Sequence, residues 1–449
     1  MTDLPNAFIK ELQANLGSEY DSFVDAMSQP PPISVRYNTR KLNPTGGDRI
    51  PWCTSGIYLN ERPSFTLDPL FHAGAYYVQE ASSMLLEQAV KQSVVAESPV
   101  LALDLCAAPG GKSTHLLSLL SRDSLVVSNE VIRSRSGALI ENIEKWGYPN
   151  SIVTQNDPSD FNSLEDFFDL ILVDAPCSGE GLFRKDADAM AEWSPRHVDL
   201  CATRQRRILT DIWGSLRPGG IMIYSTCTYN SRENLDNLRW FSQSRMCEFV
   251  NLSLDPQWGV MEMNEEGCFG YQCFPHRVRG EGFFFAAVRK TGSGKSRPYR
   301  VKDTFAYPGN QHAEEIKRWV INPEEMFFFV HRTQARMLPQ IYLTHAQLLL
   351  ERLHVLQVGT AIGEIKKNKI VPDHALALSV CLDNQHHSEI ELTLEDARAY
   401  LRMDPLQIET RSGGFCVVKF DGLALGWINR LPGRINNLYP SSRRIRLRD

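Results

Sequence analysis

Short apolar runs alternate with longer segments of helical period through the middle of the chain, from Val100 to Tyr224. Val100–Leu105 predicts a buried strand, and Gly110-Gly111 turns it into a helix predicted over Ser113–Leu120. Leu125–Glu130 predicts a second strand, Ile132–Trp146 a helix, Ser151–Gln155 a third strand and Asp169–Asp174 a fourth. After a helical segment over Arg196–Leu216, Gly219–Tyr224 makes the fifth. Alternation of this kind specifies an α/β fold, a doubly wound parallel sheet whose ligands sit at the carboxyl ends of its strands.

The flanks read differently. Phe8–Met27 has helical spacing, and Ile33–Thr39 alternates like a strand after the break at Pro30–Pro32. Glu281–Lys290 is a dense apolar strand closing the sheet, and Thr291–Pro298 is a basic, flexible linker. Phe327–Val330 and Val355–Val358 predict strands around a helix at Thr344–Leu353. Phe415–Phe420 and Leu423–Trp427 predict a hairpin about Asp421-Gly422. These breaks divide the chain into residues 1–75, 76–290, 299–370 and 371–449.

The polar groups of the central block fall at strand ends. Gly-Lys-Ser at 111–113 suggests a phosphate loop, but Cys106 stands where that loop needs its first glycine. The turn Cys106-Ala107-Ala108-Pro109-Gly110-Gly111-Lys112 fits a nucleoside cofactor better, because Glu130 ends the next strand, where an acid holds ribose hydroxyls. Asp157 ends the third strand, Asp174 the fourth, and Ser225-Thr226-Cys227-Thr228 follows the fifth.

Three stretches carry a family resemblance. Asp104–Lys112, Asp174–Gly179 (Asp-Ala-Pro-Cys-Ser-Gly) and Tyr224–Tyr229 (Tyr-Ser-Thr-Cys-Thr-Tyr) resemble motifs I, IV and VI of the Sun family of RNA cytosine-C5 methyltransferases, over roughly Tyr77–Lys290. The resemblance implies a Rossmann-like class I methyltransferase core that uses S-adenosylmethionine. It also implies a small N-terminal α+β domain and a PUA-like, β-rich C-terminal RNA-binding domain. Glu281–Lys290 then corresponds to the antiparallel edge strand of such sheets. Among family members the chain is most similar to those acting on 16S rRNA, which implies a cytosine of the decoding-site helix, met within the small ribosomal subunit.

The chemistry constrains the cysteines. C5 of cytosine is too weakly nucleophilic to attack a sulfonium methyl group. A thiolate adding to C6 turns the ring into an enamine with carbanion character at C5, so a cysteine must stand beside the cofactor. Cys177 and Cys227 end neighbouring strands, which lie about 4.8 Å apart. Chemistry alone leaves open which one attacks. The resemblance assigns Cys227 as nucleophile and Cys177 to product release, whereas DNA cytosine methyltransferases attack with the cysteine of a Pro-Cys pair. Asp174 is expected to bond the cytosine N3/N4 edge or the methionine amino group of the cofactor. Asp157 either approaches the adenine amino group or caps a helix in Asn156-Asp157-Pro158-Ser159. Lys112 is expected to neutralise a phosphate or the cofactor carboxylate.

Composition narrows the setting. The 449 residues are 43% hydrophobic and 22% charged, too long a chain for one core and ordinary for a globular protein. No apolar run reaches the roughly 18 residues of a membrane helix, and the N-terminus lacks the parts of a signal peptide. Ten cysteines without CxxC pairs read as reduced thiols in a cytoplasmic monomer with no metal, Cys268, Cys273 and His276 being the nearest approach to a metal set. The net charge of −5 hides an asymmetry, because Arg411–Asp449 holds eight basic and two acidic residues, +6, leaving −11 elsewhere. Arg430, Arg434, Arg443, Arg444, Arg446 and Arg448 interleave there with apolar residues, an electrostatic footprint for RNA phosphates. In the N-terminal segment, Arg36 and Asn38 either face RNA, as the resemblance implies, or line the outer face of a small sheet; Glu80 stands at the acidic place of a further family motif. A transfer-RNA methyltransferase and a non-catalytic assembly factor share many of these features, although the intact Cys177, Cys227 and glycine turn speak against the second.

Overall fold

Five parallel strands form the middle of a ten-stranded sheet in the computed structural model, which describes residues 4–448 except 96, 294–300, 302–304, 368 and 407–412. β1 (Leu101–Asp104) pairs with β2 (Leu125–Asn129) and β4 (Phe168–Asp174); β2 pairs with β3 (Ser151–Thr154), and β4 with β5 (Leu216–Thr226). The order β5-β4-β1-β2-β3 reverses between β1 and β4, which opens a crevice beyond their carboxyl ends. Helices cover both faces, among them α1 (Gly111–Leu119), α2 (Arg133–Trp146) and α3 (Pro195–Ile212). That cover is why the strands are apolar throughout rather than alternating.

Two strands correct the reading of the flanks. β6 (Phe283–Lys290) runs antiparallel to β5, with Phe285 opposite Ser225, but it is not the edge. A hairpin of Met261–Glu265 and Cys268–Cys273 lies beyond it, so Phe283, Phe284 and Phe285 are buried on both faces. At the opposite side β7 (Val355–Val358) pairs antiparallel with β3, so the third segment of the chain lends a strand to the central sheet.

The N-terminal helix is two helices, Asn6–Leu16 and Tyr20–Ser28, because Gly17 turns between them at φ +53°. Phe8, Leu12 and Phe23 bury against Phe183, Trp193, Tyr229 and Phe274 of the central domain. Next comes a small sheet built on Ile33–Tyr37, flanked by Gly56–Leu59 and Tyr76–Val78. Here the expectation for Arg36 and Asn38 is overturned, since both are 0% exposed. Arg36 donates to Gln79 Oε1 at 2.8 Å and Thr114 Oγ1 at 2.6 Å and lies over the Trp146 ring. Asn38 donates to Trp146 O at 2.9 Å and accepts from the Tyr148 hydroxyl at 2.9 Å. They are not surface groups; they fasten the small sheet to α1 and α2.

Two further four-stranded sheets follow, built on residues 326–372 and 388–437. Asp421 and Gly422 both have positive φ, as a tight hairpin turn requires. Residues 294–298 of the expected linker lie outside the described residues. The arginine footprint of the tail is also thinner than expected. Arg430 is buried, and Arg443 forms a largely buried ion pair with Glu144 of α2. Arg434, Arg444, Arg446 and Arg448 remain exposed. Among the described residues, no helix is long and apolar enough to cross a membrane.

Removing one partner of a buried pair strands the other charge. Arg443→Ala is therefore expected to cost about 3 kcal/mol in denaturant unfolding, and adding Glu144→Ala is expected to recover part of that loss.

Candidate active site

The crevice is floored by the end of β1. Asp104 is fully buried; its Oδ2 accepts from Ser113 Oγ at 2.7 Å, while its Oδ1 has no partner. Burial first, then the nearby carboxylates of Asp174 and Glu130, push its pKa up to about 7. The loop that follows is held from behind: Ala107 N–H donates to Asn129 O at 2.8 Å, Ala108 O accepts from Arg135 at 2.6 Å, and Pro109 O accepts from Asn142 at 2.9 Å. The Cys106 thiol is pushed far up by burial, so it stays neutral within the turn. Gly110 has φ +114°, and a Cβ on Gly111 would come within 3.1 Å of the Tyr77 ring. The first-turn N–H groups of α1, unpaired within the helix, open on this space.

Glu130 ends β2 with 2% exposure, accepting the Ile132 N–H at 2.9 Å, and Arg135 stands 3.5 Å away. Beside it Val131 and Ile132 are half exposed, apolar side chains left bare at the rim. Asp157 caps the short helix Pro158–Ser163, accepting from Ser159 N–H, and both of its oxygens also meet Arg207 at 3.0 Å. Arg207 is the main reason its pKa drops to about 2. Its side chain is thus engaged as a cap.

The two cysteines meet. Cys177 Sγ and Cys227 Sγ are 3.1 Å apart, and the Cys227 N–H points at Cys177 Sγ from 3.3 Å. The hydrogen bond to Cys227, followed by burial, raises the Cys177 pKa well above the ordinary thiol value, so Cys177 keeps its proton. Lys112 Nζ lies 2.8 Å from Asp174 Oδ2, and Asp174 Oδ1 accepts from Ser225 Oγ at 2.7 Å. Burial opposes the Lys112 charge, but Asp174 and Asp104 outweigh it and its pKa rises. Lys112 therefore serves a protein carboxylate here.

Three buried acids of the site region were not singled out from sequence. Asp104 could have been, by the positional argument that found Glu130 and Asp174. Glu180 and Glu233 are buried acids inside the two cysteine loops; burial raises both, Glu180 to about 7, and only their burial distinguishes them from surface charges. Cys268, Cys273 and His276 do not converge, since His276 bonds Glu19 in the turn between the two N-terminal helices. Among the described residues one set of metal-type donors converges, Cys53, Glu87 and His115. Glu87 there is already engaged by Lys91 at 2.6 Å and the Thr54 N–H, and buried Arg36 lies near, so the set reads as a polar junction between domains.

Comparison with known proteins covers nearly the whole chain. The sequence profile of 16S rRNA methyltransferase RsmB/F matches residues 95–289, that of the N-terminal domain of RsmF 4–81, that of the first C-terminal domain of RsmF 316–380, and that of the RsmF PUA domain 387–445. Ribosomal RNA small subunit methyltransferase F of Vibrio parahaemolyticus is 30% identical over 476 residues, covering 97% of both chains. Its counterpart in Pectobacterium carotovorum is 31% identical over 478 residues, covering 98% of this chain and 95% of its own. A methyltransferase homologue from Pyrococcus horikoshii superposes with TM-score 0.55 at 27% identity, over 64% of this chain and 96% of its own. The fold is also that of NSun6 from Pyrococcus horikoshii, with TM-score 0.55 at 19% identity over 65% of this chain and all of that one.

Asp104 carries a pH signature. Its folded-state pKa of about 7 lies above the ordinary 3.8, so the native protein holds a proton that the unfolded chain has released between those values. Stability should therefore fall as pH rises through that window, by up to about 1.4 kcal/mol per pH unit for this group. Asp104→Asn, which mimics the protonated acid, is expected to flatten that part of the curve in thermal melts at pH 5 and pH 7.

Proposed function

This chain belongs to the ribosomal RNA small subunit methyltransferase F family, and from that premise we propose that it methylates C5 of one cytosine in the decoding-site helix of 16S rRNA, through a covalent adduct between Cys227 and C6. The observation that carries the reading is the contact between two thiols at the ends of neighbouring strands, beside a buried acid and a glycine turn.

The residues at the other strand ends fit S-adenosylmethionine. Asp104 offers a buried oxygen without a partner, suited to an ammonium group, and the Gly110–Lys112 turn offers unpaired N–H groups to a carboxylate. Glu130 would take the ribose hydroxyls, and the bare Val131 and Ile132 suit a flat adenine ring. Asp157 reaches the adenine amino group only by releasing Arg207. When bound, the cofactor supplies an electrophilic methyl group.

The chain's own residues supply the rest. Cys177 keeps its proton and can offer it to the Cys227 sulfur, the attacking atom of this mechanism, and the Lys112 cation stands near enough to favour negative charge there. The thiolate adds to C6, and the electron pair of the C5–C6 bond moves to C5. Once C5 carries the methyl group, solvent water takes the C5 proton, the C–H pair re-forms the C5–C6 double bond, and the S–C6 pair returns to the Cys227 sulfur. Cys177, in contact with the departing sulfur, is placed to assist that release. Asp174, held by Lys112 and Ser225, presents a fixed acceptor to the cytosine amino edge. The base must leave its stack to reach these groups. The exposed Arg434, Arg444, Arg446 and Arg448 would hold surrounding phosphates of the small ribosomal subunit. The enzyme so read is a cytoplasmic monomer.

Two experiments test this. Cys227→Ser is expected to abolish methylation and form no adduct, because serine offers no accessible anion at neutral pH. Cys177→Ser is expected to methylate but stall as a covalent RNA complex, visible as a shifted band on a denaturing gel. A trapped band with Cys227→Ser instead would reverse the roles. For the tail, changing Arg444, Arg446 and Arg448 together to Ala is expected to lower the slope of log affinity against log salt by about 2. An unchanged slope would remove the tail from the RNA interface.

A further inference from the structure

The two cysteine loops are laced together by a reciprocal pair of buried carboxylates. Glu180, on the Cys177 loop, accepts the Tyr229 N–H at 3.1 Å, the Asn230 amide at 3.1 Å and the Trp193 indole N–H at 3.0 Å. Glu233, on the Cys227 loop, crosses the other way, accepting the Ser178 N–H at 2.9 Å, the Ser178 hydroxyl and the Gln205 amide at 2.9 Å. Ser178 directly follows Cys177, and Tyr229 stands just beyond Cys227, so each acid grips backbone beside the other loop's sulfur. Both are at most 1% exposed. A third link lies between them, because the Gly181 N–H donates to Cys227 O at 2.8 Å. That approach needs glycine, since a Cβ would come within 2.8 Å of the same oxygen and 2.6 Å of Gly282 O.

Burying two carboxylates in one small volume is unfavourable unless each is saturated with donors, and here each is. No apolar side chain at 180 or 233 would satisfy the backbone N–H groups of Tyr229 and Ser178. A glutamine would turn its NH₂ toward donors at both sites. A glutamate, whose two oxygens both accept, is thus the side chain that both fills these positions and joins the loops.

We infer that Glu180 and Glu233 are positioning residues that set the contact between the Cys177 and Cys227 sulfur atoms. Neither reaches into the crevice; they act through the backbone they hold. Their effect on rate rests on the two-cysteine mechanism proposed above, whereas their effect on geometry does not. A displacement of about 1 Å at reacting atoms costs roughly a hundredfold in rate, so loosening either tie should be felt at the chemical step rather than in cofactor affinity.

The sulfur contact can be read directly with diamide. Two thiols give it two electrons and two protons, the S–S bond forms, and the diamide becomes the hydrazine. In the full chain, peptide mapping should recover a Cys177–Cys227 disulfide. Glu180→Gln and Glu233→Gln are each expected to slow its formation about tenfold while leaving the Kd for S-adenosylmethionine unchanged. On small ribosomal subunits from a strain lacking the gene, kcat should fall at least about tenfold with KM for S-adenosylmethionine unchanged. Should either amide variant fail to fold, Glu180→Asp and Glu233→Asp keep the charge and shorten the reach by one methylene, with the same expectation. Folded variants that form the disulfide at the parent's rate overturn the inference. A slowed disulfide in a protein whose parent shows no methylation would uphold the inference and overturn the activity proposed above.

Discussion

The register of β4 against β5 is the constraint from which the site follows. Asp174 lies opposite Ser225 and Val173 opposite Tyr224 in a parallel ladder. From that pairing the two chains leave the sheet side by side, and each carries its cysteine within three residues. A slip of one residue would turn the Tyr224 and Leu172 faces inside out, an option closed by burial on both sides. The Lys112–Asp174–Ser225 chain of contacts depends on the same register, because it spans the ends of three elements that only this sheet order brings together.

Around that sheet, α2 serves as a common post. Its first turn lies beside Glu130, and its last turn receives three other segments of the chain. Lys41 donates to Lys145 O at 2.6 Å and Ala73 O at 2.8 Å, a cation at a helix C-terminus where the backbone dipole favours it. The burial that comes with this role lowers its pKa to about 7. Gly147 then turns at φ +81°, and a Cβ there would sit 2.1 Å from Leu378 O. Arg443 reaches Glu144 one turn earlier. The N-terminal sheet, the core and the C-terminal domains therefore meet on one helix end, which explains why Arg36 and Asn38 are interior residues and Arg443 is largely covered.

The central fold was legible because parallel strands covered on both faces read as continuous apolar runs, and because ligand groups cluster at one end of such a sheet. Glu130, Asp174, Cys177 and Cys227 all announced themselves by position relative to those runs. What sequence could not tell was which polar residues would be interior. Arg36 and Glu180 look like surface residues in a one-dimensional pattern, and only the partners brought by distant segments, Gln79 and Thr114 for one, Asn230 and Trp193 for the other, make burial tolerable. Edge identity was hidden for a similar reason. Nothing local in Glu281–Lys290 says that a hairpin lies outside it, nor in Val355–Val358 that it belongs to a sheet begun far earlier.

That last strand has a consequence for how the protein is made. β3 ends at Thr154 and its antiparallel partner β7 begins at Val355, so about 200 residues must emerge before the central sheet is closed on that side. At synthesis rates of roughly 5–20 residues per second, the edge of β3 stands open for on the order of 10–40 s. During that interval it presents Ser151, Ile152, Val153 and Thr154, a short β-branched template of the kind other chains pair with. Its brevity is the chain's protection until β7 arrives, and the nascent catalytic core is a stage at which chaperone capture would matter most.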